Sequence, residues 1–308
     1  MSPALRARRV AGDAGRFFDP AVVARISGFE LRARHVVEGM MSGVHRSRAH
    51  GLSVEFEEHR PYTPGDEFRH IDWKAYGKFD RYLIKQFETE TNLRAHMVVD
   101  ASASMDFGEG PMTKWEYAAT LAASLAHLLL KQSDAVGIVL SKETEDRIVP
   151  AKAVRRHLIG LLAALQAERP EGGTGLAASL IRLAEGLKRR GMVAIFSDLL
   201  DDPEMVARAL RLIRLKGNDV IVFHVLDPVE LDFPFEGLAR VEDVETDRNM
   251  TVECEVVRKP YLGLLQEFLD STRDHCRTEG IHYVLLSTGE PLDRALVRFL
   301  AWRMKLKN

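Results

Sequence analysis

Asp100, Ser102 and Ser104 stand at alternate positions where the apolar run AHMVV (95–99) gives out, within the stretch MVVDASASMDFG (97–108). Two chemistries use such a set. Asp and Ser favour turns and helix caps, because their short side chains bond nearby backbone groups. The same oxygens are also hard ligands for a divalent cation. Two further loops carry related groups. Thr174 sits among glycines in EGGTGL (171–176), and Asp198 follows the apolar run MVAIFS (192–197) in FSDLLDD. Together they offer two carboxylates and three hydroxyls. The set holds no Cys or His, which argues against zinc or copper, and it suits Mg²⁺, with Mn²⁺ or Ca²⁺ as substitutes. Two glycines before Thr174 and one after allow the backbone to come close to a ligand.

These residues matter only if a fold brings the three loops together. From Arg94 onward, strands and helices alternate. AHMVV (95–99), AVGIVL (135–140), MVAIFS (192–197), DVIVFHV (219–225) and IHYVLLS (281–287) read as buried strands, and RIVP (147–150) as a short hairpin partner. Between them, apolar residues recur at helical spacing over 114–132, 153–166, 175–191, 202–217, 260–280 and 291–305. Thr113 and Glu116 form a capping box for the first of these helices, with Tyr117, Leu121, Leu125 and Leu128 on its apolar stripe. Asp201 and Asp202 cap the helix that starts at Pro203 and is closed by Gly217. Near-continuous apolar strands alternating with helices predict an α/β fold: a mostly parallel sheet with helices on both faces. In such sheets ligands bind beyond the carboxyl ends of the strands, where all three loops fall. Residues 226–259 break the rhythm. ARVEDVET and MTVECEVV, joined by DRN, read as a hairpin insertion. Residues 1–93 follow a different pattern, helical over 19–43 and dense in charge and aromatics over 51–92. The expected organisation is an appended N-terminal region (1–93) and an α/β domain (94–308) with its insertion at about 226–259.

The bulk numbers narrow the function. The chain has 308 residues, 46% hydrophobic and 29% charged, with a net charge of −2. No global basic field points to nucleic acid. The first 50 residues are locally basic, nine Arg against four acids, which reads as a solvated surface or arm. The run LAASLAHLLL (121–130) is too short to cross a bilayer, which needs ~20 residues. Cys254 and Cys276 match no metal or redox spacing and read as reduced thiols. Arg residues near the start are not followed by an apolar signal core. The expectation is a cytoplasmic protein without direct membrane insertion.

DASAS, then GGTGL, then SDL, in chain order on a βα framework, resembles the metal-ion-dependent adhesion site of von Willebrand factor A domains. The segment GLSVEFEEHRPYTPGDEFRHIDWKAYGKFDRYLIKQFETE (51–90) and the C-terminal YVLLSTGEPLDRALVRFLAWR resemble the bacterial domain-of-unknown-function family 58. That family is similar to von Willebrand A domains and is associated with MoxR-type AAA+ ATPases. The resemblance implies a von Willebrand factor A-like, Rossmann-like sheet. It implies that Ser102 and Ser104 bind the ion through their hydroxyls and Thr174 directly or through water. Asp100 and Asp198 would act through water or by orienting the serines. One position would stay open for a carboxylate from a partner, either a MoxR-type ATPase or its client. The implied role is a binding adaptor rather than an enzyme. A metal-dependent hydrolase, or a scaffold with a merely structural ion, are the alternatives. The chain has no Walker A sequence and no G-x-S-x-G elbow.

Other clusters have simpler readings. PGDEFRHIDW (64–73) crowds Asp66, Glu67, Arg69, His70, Asp72 and Trp73. An ion-paired network that fastens the N-terminal region is expected there, and Asp66, Arg69, Asp72 and Trp73 are also candidates for partner binding. His45, His50, His59 and His70 lack the spacing of a zinc helix motif. His224 lies inside an apolar strand and reads as core. Asp106 and Glu109 read as solvated loop residues.

Overall fold

The computed structural model describes residues 59–61, 83–85, 93–188, 190–242 and 249–307. The expectations for the helices at 19–43, for His45, His50 and His70, and for Asp66, Glu67, Arg69, Asp72 and Trp73 lie outside those residues. Two short strands are described ahead of the main sheet: β1 (His59–Pro61) and β2 (Leu83–Lys85), which pair antiparallel.

The main sheet uses β3 (Arg94–Asp100), β4 (Ala135–Ser141), β5 (Arg147–Lys152), β6 (Met192–Ser197) and β7 (Asp219–Leu226). After a separate antiparallel hairpin, β8 (Leu238–Glu242) with β9 (Asn249–Glu253), the chain adds β10 (His282–Ser287). The strand order is β10-β7-β6-β3-β4-β5, parallel throughout except for β5, which runs antiparallel to β4 at one edge. β3 is therefore central. From it the chain first winds to β4 and later returns to β6 on the other side. The gap between β3 and β6 is where the winding direction reverses, the place where open α/β sheets leave a crevice beyond their strand ends.

Seven helices are described: α1 (Lys114–Lys131), α2 (His157–Ala167), α3 (Leu176–Gly186), α4 (Pro203–Leu215), α5 (Pro228–Asp232), α6 (Cys254–Thr278) and α7 (Leu292–Lys307). Alternate strand residues face opposite sides, so the core is split in two. Met97, Val99, Phe196 and Phe223 pack with Leu121 and Leu125 of α1, Leu161 of α2 and Phe299 of α7. Val98, Ile195 and Val222 pack with Leu180 of α3 and Leu210 and Ile213 of α4. Phe196 and Phe223 stack at 4.9 Å between ring centroids. Each such side chain taken out of water contributes roughly 1.5–3 kcal/mol. α1 is buried along almost its whole length, and it begins with the expected capping box of Thr113 and Glu116.

Three local expectations need correction. MTVECEVV is not one strand: β9 ends at Glu253 and α6 begins at Cys254, so Val256 and Val257 are helical. Pro260 sits inside α6 and removes one backbone donor from its second turn. Asp202 does cap α4, accepting from Glu204 N and Met205 N. Asp201 instead accepts from Ala177 N (2.9 Å) and so secures the first turn of α3. α5 is a one-turn helix that the sequence reading did not separate from the insertion. Asp227 and Glu230 open it with a second capping box, and Tyr261 Oη of α6 donates to the Glu230 carbonyl.

Candidate metal centre at the sheet switch point

Asp100 ends β3 and is buried, 1% exposed. Its Oδ1 accepts from Ser102 N (3.0 Å) and Ser102 Oγ (2.8 Å). Its Oδ2 accepts from Ser197 Oγ (2.6 Å), the last residue of the neighbouring strand β6. The Ser102 hydroxyl has one hydrogen and gives it to Asp100. The 3.1 Å contact between Ser102 Oγ and Ser104 Oγ therefore has Ser104 as donor. Both serines are buried: Ser102 stands at the N-cap of a 3₁₀ turn, Ala103–Asp106, and Ser104 is the second residue of that turn. The turn presents the two hydroxyls side by side.

The Thr174 loop is stitched to this turn by backbone. Ala103 N donates to Gly172 O (3.0 Å), and Glu171 N donates to Ala101 O (3.1 Å). Gly172 has φ +76°, a left-handed conformation that glycine adopts without strain. A Cβ on Gly175 would lie 2.3 Å from the Lys142 carbonyl oxygen, so only glycine lets the loop pass β4 this closely. Thr174 Oγ1 is buried and has no hydrogen-bond partner. A buried hydroxyl left unpaired costs roughly 1–3 kcal/mol. A water or a cation entering the loop would supply the missing partner.

Asp198 follows β6 and is also 1% exposed. Its Oδ1 accepts from Leu200 N (3.2 Å), and its Oδ2 accepts from Lys114 Nζ (2.8 Å). Its carbonyl oxygen accepts from His224 Nε2 (2.8 Å), which fixes the tautomer: Nδ1 is the acceptor for Tyr283 Oη, also at 2.8 Å. Leu199 takes a left-handed φ of 58° and donates its N–H to Ser197 Oγ (2.8 Å). His224 is a core residue, as expected, and burial pushes its pKa down to about 4. Burial pushes Asp100 up to about 6, with the nearby Asp198 charge adding to the shift and the bonds from Ser197 and Ser102 opposing it. A carboxylate raised in this way gains from any cation that arrives beside it.

The family model described as "Protein of unknown function DUF58" matches residues 58–267. The chain belongs to that family. It is 31% identical over 235 residues to the uncharacterized protein Rv1480 of Mycobacterium tuberculosis, covering 75% of this chain and 74% of the relative. It is 27% identical over 134 residues to the uncharacterized protein YeaD of Bacillus subtilis, covering 44% and 31%. Among solved structures it is similar to the conserved hypothetical protein BatB of Bacteroides thetaiotaomicron, with a TM-score of 0.44 and 14% identity over 69% of this chain and 99% of that one. It is also similar to the SpRpn10 VWA domain, with a TM-score of 0.40 and 12% identity over 66% and 93%.

In this DUF58 chain, then, Asp100, Ser102 and Ser104 form one hydrogen-bonded cluster. Ser197 ties it to the strand that carries Asp198, and two backbone bonds tie it to the Thr174 loop. Among the described residues no three His, Cys, Asp or Glu side chains converge on a common point, so the donor set is hydroxyl-rich. Adjacent hydroxyls, an orphaned threonine and a carboxylate in want of positive charge fit a hard divalent cation that keeps some of its waters. Asp106 and Glu109 are exposed, as expected of solvated loop residues. Sequence reasoning missed Ser197 and Lys114. Ser197 had a readable signal, a hydroxyl directly before Asp198 at a strand end. Lys114 had a weaker one, a cation at the first position of a largely apolar helix.

Proposed function

We propose that this chain is a divalent-cation-dependent protein-binding adaptor of the von Willebrand A type. Ser102, Ser104 and Thr174 would hold Mg²⁺ through their hydroxyls, with Asp100 and Asp198 acting through water. The bound ion would supply a Lewis-acidic position for an Asp or Glu carboxylate of a partner. The observation that carries this reading is the buried, partnerless Thr174 hydroxyl in a loop fastened to the Asp100–Ser102–Ser104 cluster at the switch point. A set with few direct anionic ligands leaves an ion electrophilic, so an incoming carboxylate gains a charge-assisted bond.

Binding is favoured over catalysis by the state of His224, the histidine bonded to the Asp198 carbonyl. Both nitrogens of His224 are engaged and its pKa is depressed to about 4. Membership of DUF58 accords with a non-catalytic role. The family's association with MoxR-type AAA+ ATPases makes such an ATPase, or its client, the partner to test, and remodelling or maturation of that client the process. Among the described residues no helix is long and apolar enough to cross a membrane, and we place the adaptor in the cytoplasm.

The test is capture of the MoxR-type ATPase of the same cell by the full chain, in Mg²⁺ and in EDTA. Capture that needs Mg²⁺ and is lost in Ser102→Ala/Ser104→Ala is the expected result. Equal capture in both buffers removes the ion from the mechanism. Absence of capture in both removes the proposed partner.

A further inference from the structure

Lys114 is the first residue of α1, and its side chain is 1% exposed. The position is unusual in two ways. Lysine is almost never fully buried unless paired. A cation at a helix N-terminus also opposes the helix dipole. The pairing that offsets both is unusually complete. Nζ lies 2.8 Å from Asp198 Oδ2 and 2.7 Å from Glu230 Oε1, and the Phe107 ring lies beneath it at 5.7 Å. Burial works against its charge, but Asp198 and Glu230 outweigh it and hold the ammonium above its ordinary pKa. Glu230 is itself fixed, since its Oε2 accepts from Asp227 N (2.7 Å), and Asp227 in turn accepts from Thr288 Oγ1 (2.7 Å). Three elements remote in sequence, α1, the β6 end and α5, are thus built around one charge.

We infer that Lys114 is a resident counter-ion of the candidate metal centre, a positioning residue that commits Asp198 to an internal partner and thereby holds down the site's affinity for cations. The inference rests on the cation-site reading above. Asp198, Glu230 and Lys114 are two carboxylates and one ammonium, so Lys114 offsets one of the two negative charges that would otherwise attract an incoming cation. With its Oδ2 engaged by Lys114 and its Oδ1 by Leu200 N, Asp198 is drawn away from direct ligation. The cluster can stand assembled without an ion, and an ion that enters meets few direct anionic ligands. Lys114 does not contact the ion in this account. It acts through Asp198.

The experiment is a titration of the full chain with Mn²⁺, followed by electron paramagnetic resonance of the free ion, with thermal unfolding as a second readout. Lys114→Met keeps the length and apolar stem and removes the charge. It is expected to bind Mn²⁺ at least about tenfold more tightly, because one nearby like charge has been deleted in a poorly solvated site. It is also expected to show a larger Mn²⁺-induced rise in Tm than the unsubstituted chain. Glu230→Gln keeps the lysine and deletes one of its two counter-charges, so it is expected to bind Mn²⁺ several-fold more weakly. Opposite shifts support the inference. Equal affinities in all three proteins, or shifts in the same direction, overturn it. If Lys114→Met does not fold, the direction of the Glu230→Gln shift decides. Mn²⁺ binding that is lost in Ser102→Ala/Ser104→Ala but indifferent to Lys114 and Glu230 sinks the counter-ion role and leaves the metal centre standing. No Mn²⁺ binding to the unsubstituted chain or the variants overturns both.

Discussion

Ser197→Ala should be more damaging to the metal-free protein than Ser102→Ala, although Ser102 belongs to the proposed ligand set and Ser197 does not. The Ser197 hydroxyl is fully buried and makes two bonds. It donates to Asp100 Oδ2 at 2.6 Å and accepts from Leu199 N at 2.8 Å. Its removal takes a hydrogen bond from a carboxylate that is ionised at neutral pH, a loss of roughly 1.5–3 kcal/mol, and orphans a buried backbone donor for about 1–3 kcal/mol more. The expected loss is about 3–5 kcal/mol, a large share of the ~5–15 kcal/mol that holds a typical domain together. Ser102→Ala removes the bond to Asp100 Oδ1 and the acceptor for Ser104 Oγ, but Oδ1 keeps the bond from Ser102 N at 3.0 Å and no backbone donor is orphaned. Its expected cost is about 2 kcal/mol. Urea unfolding in EDTA at pH 7.5 reads both values, with an unchanged m confirming that the midpoint shift is a stability change. A loss below 1 kcal/mol for Ser197→Ala, or one no greater than for Ser102→Ala, would refute the claim that Ser197 joins the two strand ends.

Two further outcomes follow from groups near the same site. Thr174→Val replaces an unpaired buried hydroxyl by a methyl of nearly equal size. In EDTA it should leave stability unchanged or raise it by up to about 1 kcal/mol, while weakening Mn²⁺ binding; a marked loss of stability would show that the hydroxyl has a protein partner. In EDTA, His224 and Asp100 should oppose each other in acid. The His224 contribution is complete above its ordinary pKa of 6.5 and is lost as pH falls towards about 4, whereas the Asp100 contribution is complete below its ordinary 3.8 and is lost as pH rises through about 6. Each amounts to about 3 kcal/mol, so the profile between pH 4.5 and 6 should be nearly flat. His224→Gln should make stability fall with rising pH over that range in urea midpoints, and Asp100→Asn should make it rise. Unchanged slopes in both variants would contradict the assigned shifts.

The sheet was readable because each parallel strand is a short apolar run between turn residues, and burial on both faces demands that pattern. Asp100, Ser102, Ser104, Thr174 and Asp198 could be singled out because each follows a strand end or lies in a glycine-rich loop, positions that the periodicity locates. What the sequence hid are the long-range bonds. Lys114 meets Asp198 across 84 residues and Glu230 across 116, and Ser197 meets Asp100 across 97. No local pattern encodes those partners. The misreading of 254–257 has a local cause. Val256 and Val257 are β-branched and look like strand, yet the chain has already turned into α6, where Val256 is exposed.

The central place of β3 also dictates an order of assembly. β4 and β5 are made soon after β3 and lie on one side of it, whereas β6, on its other side, is made some ninety residues later. During synthesis the β3–β4–β5 half can pair while the opposite edge of β3, the apolar run AHMVV, waits with its backbone groups unsatisfied. Such an open edge is a template for pairing with another chain. Asp100 waits with it, since Ser197 and Asp198 arrive only with β6, and Glu230 arrives later still. A cation held at the proposed site could not nucleate this fold, because that cluster comes into being only after the two halves of the sheet have met.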